Sequence, residues 1–162
     1  RMPYRMHAEY LRQLFLENQL ATGRYEVDGR PISLTDIRAE IFAVGTTRDH
    51  IAPWESVYKI KILTDTDVTF VLAGGGHNAG IVSEPGHAHR SYQILRVLES
   101  ERYTDPESWR RQAPLHEGSW WPAWSKWLTE RSTSRVKPPR MGLAGNGNGP
   151  IMDAPGSYVL EA

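Results

Sequence analysis

Ile41-Phe42-Ala43-Val44-Gly45 and Val68-Thr69-Phe70-Val71-Leu72 are two short apolar runs, each followed by a loop. The first opens into Thr46-Thr47-Arg48-Asp49-His50-Ile51-Ala52-Pro53-Trp54, the second into Gly74-Gly75-Gly76-His77-Asn78-Ala79-Gly80. An unbroken apolar run of this length is the pattern of a strand covered on both faces. Between the runs, Pro53 fits the first position of a helix reaching about Leu63, because it lacks only an N–H that has no partner there. Strand, loop, helix, strand, loop is the βαβ unit of a parallel sheet, so the fold class is α/β.

Outward from this unit, Tyr10, Leu11, Leu14, Phe15 and Leu20 recur at helical spacing, which predicts an amphipathic helix over residues 4–20. Asp28-Gly29, inside a short alternating stretch from Arg24 to Leu34, predicts a tight hairpin. After Pro85 the pattern is mostly helical, with helices expected near Asp105–Gln112 and Ser119–Arg131. Residues 132–154, rich in Pro and Gly and including Gly145-Asn146-Gly147-Asn148-Gly149, carry too little apolar surface to order themselves and predict a flexible linker. The expected division is a folded portion over residues 1–131 and a flexible tail over 132–162. Two strands cannot bury both faces and edges of a sheet, and the first residue is Arg1, so the chain is expected to be a piece of a longer protein.

Composition narrows the function classes. The 162 residues are 40% apolar, enough for one packed core. Nineteen basic residues balance nineteen acidic ones, so no overall field favours nucleic acid or an anionic membrane. No stretch has the roughly 20 apolar residues of a membrane span, and the expected location is the cytoplasm. With no cysteine, these residues hold no thiolate metal site and no thiol nucleophile.

In open α/β sheets the chemistry sits in loops beyond the carboxyl ends of the strands. Adjacent strands run about 4.8 Å apart, so Asp49 and His77 can meet as an acid–base pair. Their order, acid then histidine, is that of the α/β-hydrolases, whose nucleophile comes earlier in the chain. A carboxylate that bonds one imidazole nitrogen leaves the other free to take a proton from a nucleophile. An Asp before a Pro also reads as a turn or cap residue, and a His in a Gly-rich loop as a solvated side chain. His50, beside the acid, lines the pocket at most in a supporting position. Gly86-His87-Ala88-His89 with His77 suggests a zinc site, but no carboxylate motif or i, i+4 histidine spacing accompanies it, and a surface loop is the better reading. The glycines before His77 lack the Lys-Ser/Thr ending of a phosphate loop. Ser119-Trp120-Trp121-Pro122-Ala123-Trp124-Ser125-Lys126-Trp127-Leu128 holds four of six tryptophans; Trp120, Trp124 and Trp127 at helical spacing read first as a packed aromatic face, second as a surface for polymer or lipid.

Taken together, Phe15-Leu16-Glu17-Asn18, Val27-Asp28-Gly29-Arg30-Pro31, Asp49-His50-Ile51-Ala52-Pro53-Trp54, Gly75-Gly76-His77-Asn78-Ala79-Gly80-Ile81, Gly118-Ser119-Trp120-Trp121-Pro122 and Ala154-Pro155-Gly156-Ser157-Tyr158-Val159 resemble the poly(3-hydroxyalkanoate) synthases. The resemblance runs in order from about Leu11 onward and is to the C-terminal part of the family's α/β-hydrolase-type catalytic domain. It implies an acyltransferase that polymerises (R)-3-hydroxyacyl-CoA into polyester and releases CoA. Asp49 and His77 match the acid and histidine of a triad whose cysteine is absent here, and Asn18 matches an asparagine near the substrate or product path. The resemblance implies no cofactor and no metal. It implies a polyester granule surface as partner, and a homo-oligomer, a dimer. Whether His77 or Asp49 deprotonates the 3-hydroxyl stays open at this level. So do two other readings: an esterase or polyester depolymerase with a serine nucleophile, and a non-enzymatic granule-binding module built on the tryptophan helix.

Overall fold

A computed structural model describes residues 2–138 and 152–161. Residues up to Thr129 form one compact unit and those from Glu130 a second. The first unit is built on a four-stranded sheet in the order β3-β4-β5-β6, where β3 is Ile41–Thr46, β4 Val68–Ala73, β5 Ser91–Val97 and β6 Leu115–Glu117. Strands β3 and β4 are parallel and in register from Ile41 beside Val68 to Thr46 beside Ala73. The α/β reading and its parallel pair are borne out.

Every residue of β4 is buried, because both faces of the sheet are covered. On one face Val68, Phe70 and Leu72 pack with Trp54 and Tyr58 of α2 (Trp54–Tyr58) and with Trp109 of α4 (Pro106–Gln112). On the other, Val71 and Ala73 pack with Trp120, and Phe42 and Val44 of β3 join them. The two parities of each strand therefore both read as apolar, which is why the runs look continuous in sequence. Phe70 lies edge-on to Tyr58 and Trp109, with ring centroids 5.1 and 5.0 Å away. Aromatic edges of this kind add to simple area burial.

The helical reading after Pro85 needs correction. β5 pairs antiparallel with β4, and β6 antiparallel with β5, so the sheet is mixed. In β5, Tyr92 and Ile94 serve one face and Leu95 and Val97 the other, with Gln93 and Arg96 between them. That double service hides the period of two. The expected helix over 4–20 is also shorter: α1 covers Tyr4–Tyr10 and continues as π-helical turns over Leu11–Leu16. It stops there because Asn18 turns to φ +48°. Pro53 precedes the helix rather than opening it; its extended backbone ends in a carbonyl that takes bonds from Ser56 and Val57. After α2 the turns break at Lys59 and resume as α3 (Ile60–Leu63).

The hairpin and the two later helices hold. β1 (Glu26–Val27) and β2 (Arg30–Pro31) pair antiparallel around Asp28 and Gly29, whose φ angles of 50° and 72° are those of a mirror-image two-residue turn. α4 starts where Asp105 caps the Ser108 N–H, with proline in its first turn. α5 runs Trp121–Glu130. Residues 132–138 form neither helix nor strand and are exposed. The remainder of the expected linker through residue 151 lies outside the described residues. Among the described residues no helix is long and apolar enough to cross a membrane.

Candidate active site

The loops after β3 and β4 are stitched together by backbone hydrogen bonds. Thr47 N–H donates to the Ala73 carbonyl at 3.0 Å, and Arg48 N–H to the Gly75 carbonyl at 2.9 Å. Gly75 N–H returns a bond to Thr47 Oγ1 at 3.3 Å. Gly75 itself sits at φ +130°, and a Cβ there would lie 2.8 Å from Gly80 N, so no larger residue fits. The next turn closes on itself: Gly80 N–H reaches Gly76 O at 2.9 Å, and Ile81 and Val82 N–H both reach Asn78 O. Gly80 lies against the Thr46 methyl, which a Cβ would meet at 2.5 Å.

This frame brings Asp49 and His77 together. Asp49 Oδ2 is 2.8 Å from His77 Nδ1. The other oxygen, Oδ1, accepts the N–H groups of Ile51 and Ala52, each at 2.9 Å. Asp49 thus fills both roles its sequence context suggested: one oxygen closes a turn and the other faces the imidazole. The side chain of Asp49 is only 8% exposed, whereas that of His77 is 43% exposed. The Ala52 N–H bond is the largest influence holding the Asp49 carboxyl down at about 2, with the His77 bond and the Ile51 N–H assisting and desolvation opposing.

An ionised carboxylate only accepts hydrogen bonds, so His77 Nδ1 must carry the proton facing it. In the neutral ring the lone pair is then on Nε2, directed away from Asp49. The arrangement gives the neutral His77 ring a fixed tautomer and orientation. A surface hollow of about 430 Å3 along α1, lined by residues including Met6, Tyr10 and Leu14, draws nothing from these two loops.

The other sequence candidates stand apart. His50 is exposed and makes no hydrogen bond to Asp49 or His77. Asn18 is exposed in the turn after the helix, where its carbonyl accepts both the N–H and hydroxyl of Thr22. His87 bonds Glu84 within its own loop at 2.8 Å, and His89 sits at φ +59°. Sequence reasoning missed a contact of the tryptophan segment: Trp120 Nε1 donates to Gly80 O at 3.0 Å and Trp121 Nε1 to Ile81 O at 2.9 Å. Helical spacing reports which ring faces packing, not where its N–H goes.

No protein-family model matches the chain. Curated relatives do. Poly(3-hydroxyalkanoate) polymerase 2 of Ectopseudomonas oleovorans is 38% identical over 160 residues, covering 99% of this chain and 28% of that protein. Poly(3-hydroxyalkanoate) polymerase subunit PhaC of Rhizobium meliloti (strain 1021) is 40% identical over 159 residues, covering 98% of this chain and 25% of that protein. This chain is a relative of the poly(3-hydroxyalkanoate) polymerases. The relationship extends to the PhaC subunit of Cupriavidus necator, 33% identical over 162 residues, 98% of this chain and 26% of that protein. The family resemblance drawn from the dispersed motifs is therefore borne out along nearly the whole chain. The chain spans about a quarter of the length of the polymerases it matches.

Proposed function

We propose that this chain supplies the acid and the base of a polyhydroxyalkanoate-forming acyltransferase, as part of a longer enzyme that uses (R)-3-hydroxyacyl-CoA and releases CoA. The observation that carries the proposal is the 2.8 Å Asp49–His77 bond, with Asp49 anchored independently by two backbone N–H groups, in a chain related to polymerases. The chain has no cysteine, so the thiol comes from outside these residues.

His77 Nε2 takes the proton of that thiol, and the thiolate attacks the thioester carbonyl. The tetrahedral oxyanion collapses, the bond to the CoA sulfur breaks, and CoA leaves with the proton that His77 held. For elongation, the 3-hydroxyl of one acyl unit loses its proton and attacks the carbonyl of another acyl thioester, forming the ester and freeing a thiol. His77 is the better base for that step too. Both Asp49 oxygens are already engaged and its side chain is nearly buried, whereas Nε2 is open. The same reading carries the family's setting: a cytoplasmic protein at the surface of polymer granules, working as a homo-oligomer.

The test is CoA release from a 3-hydroxyacyl-CoA by the enzyme that carries this chain. His77→Ala is expected to abolish it, because members of such a unit do not act independently. The 162 residues alone are expected to release none, and sustained release by them would overturn the proposal.

A further inference from the structure

Three consecutive residues, Ser119, Trp120 and Trp121, each aim one donor at the backbone of the same short stretch. Trp120 Nε1 bonds Gly80 O at 3.0 Å, and Trp121 Nε1 bonds Ile81 O at 2.9 Å. Ser119 Oγ donates to Ser83 O while accepting the Trp121 N–H at 3.0 Å, which fixes the start of α5 on the same segment. Ser119, Trp120 and Ser83 are buried. Packing alone does not require this. Trp120 already stacks on Phe42 across 6.3 Å, and a phenyl ring would stack as well.

The stretch so held is the outgoing arm of the His77 turn. Gly80, whose carbonyl takes the Trp120 bond, gives its own N–H to Gly76 O, the residue before His77. Ile81, whose carbonyl takes the Trp121 bond, gives its N–H to Asn78 O, the residue after His77. The incoming arm is held differently, by Thr47 and Arg48 of the acid's own loop. One arm of the histidine turn is thus fixed to Thr47 and Arg48 in the aspartate's loop and the other to two indoles.

We infer that Ser119, Trp120 and Trp121 are positioning residues that hold the His77 turn, so that Nδ1 stays on Asp49 and Nε2 keeps one direction. They set the rate of acyl transfer without touching substrate. The inference rests on the proposed role of His77 as base. A general base displaced by a fraction of its reach loses much of its effect, and misplacements near 1 Å cost about a hundredfold.

The experiment combines kinetics with histidine-labelled NMR on the enzyme that carries this chain. Trp120→Phe and Trp121→Phe keep the ring and remove the donor; Ser119→Ala removes the hydroxyl and Ser119→Thr restores it. Each donor loss is expected to lower kcat roughly ten- to a hundredfold with KM unchanged, and to weaken the far-downfield Nδ1 proton of His77, assigned by its disappearance in His77→Ala. Ser119→Thr is expected to recover both. Trp124→Phe removes an indole that makes no hydrogen bond to the turn and is 41% exposed, and should change neither. Trp121, only partly buried, keeps the test alive if the Trp120 variant fails to fold. Wild-type kcat and resonance in the Trp120→Phe, Trp121→Phe double variant would overturn the inference, as would a fall in kcat with the resonance intact. Full activity in His77→Ala would instead overturn the role of the base, while the resonance would still report whether the indoles hold the turn.

Discussion

Among the described residues, two carboxylate–histidine pairs share the same contact distance and differ in how they are built. Asp49–His77 and Glu84–His87 each place a carboxylate oxygen 2.8 Å from Nδ1. Glu84 and His87 are three residues apart on one loop, with side chains 55% and 40% exposed. Asp49 and His77 come from two loops 28 residues apart and meet because two parallel strands end side by side. Glu84 is held low first by the His87 bond itself, whereas Asp49 is held low first by the Ala52 backbone N–H. One carboxylate depends on its histidine; the other is set by the scaffold and in turn orients its histidine. Distance alone does not distinguish them, and anchoring does.

The largest effect that separates the pairs is on turnover. Asp49→Asn would keep an oxygen for the Ile51 and Ala52 N–H groups but turn an NH2 toward His77, forcing the proton onto Nε2 and removing the base. CoA release by the enzyme that carries this chain should fall roughly 1,000- to 10,000-fold, as expected for a lost orienting carboxylate. Glu84→Gln should leave it within about twofold, the ordinary fate of an exposed pair. Equal losses in the two variants would erase the distinction.

A smaller effect is expected in stability, read from urea unfolding midpoints. In Gly80→Ala the new methyl would lie 2.5 Å from Thr46 Cγ2 and 2.8 Å from Thr46 Cβ, a clash inside a buried frame that should cost about 1–3 kcal/mol. Gly86→Ala, in the loop of the other pair, meets nothing within 4 Å and has only its φ of +88° against it, for about 1 kcal/mol. A Gly86→Ala loss exceeding that of Gly80→Ala would mean the His77 turn is not the tighter of the two.

The Asp49–His77 pair was legible in the sequence because apolar runs mark where strands end, and chain order limits which loop holds the carboxylate and which the histidine. The anchoring was not. Ile51 and Ala52 act through backbone N–H groups, which any residue but proline supplies, so no residue type signals them. The indole donors were hidden for a related reason: Trp120 and Trp121 announce bulk and apolarity, while their single N–H finds a carbonyl 40 positions away. Strand β5 escaped because its alternate residues serve two cores at once, and β6 because its three residues are all exposed. The hairpin at Asp28-Gly29 was readable from two residues, since few others accept positive φ in succession.

The smallest effect is in acid titration. A depressed carboxyl adds stability that is present above its ordinary value of 3.8 and is lost as pH falls toward about 2, the folded value for Asp49. Because its first cause is the Ala52 N–H, His77→Ala should leave Asp49 well below 3.8 in a 13C carboxyl titration. His87→Ala should let Glu84 rise toward its ordinary 4.5, since its first cause is gone. A return of Asp49 to its ordinary value in His77→Ala would show that the two carboxylates are held alike after all.

The most direct test of the account is the first turnover. When the enzyme carrying this chain is mixed with excess (R)-3-hydroxyacyl-CoA, the wild type and His87→Ala should both release a burst of CoA as the thiol is acylated, and His77→Ala should release none. A burst of wild-type rate and amplitude from His77→Ala would contradict the assignment of His77 as the base.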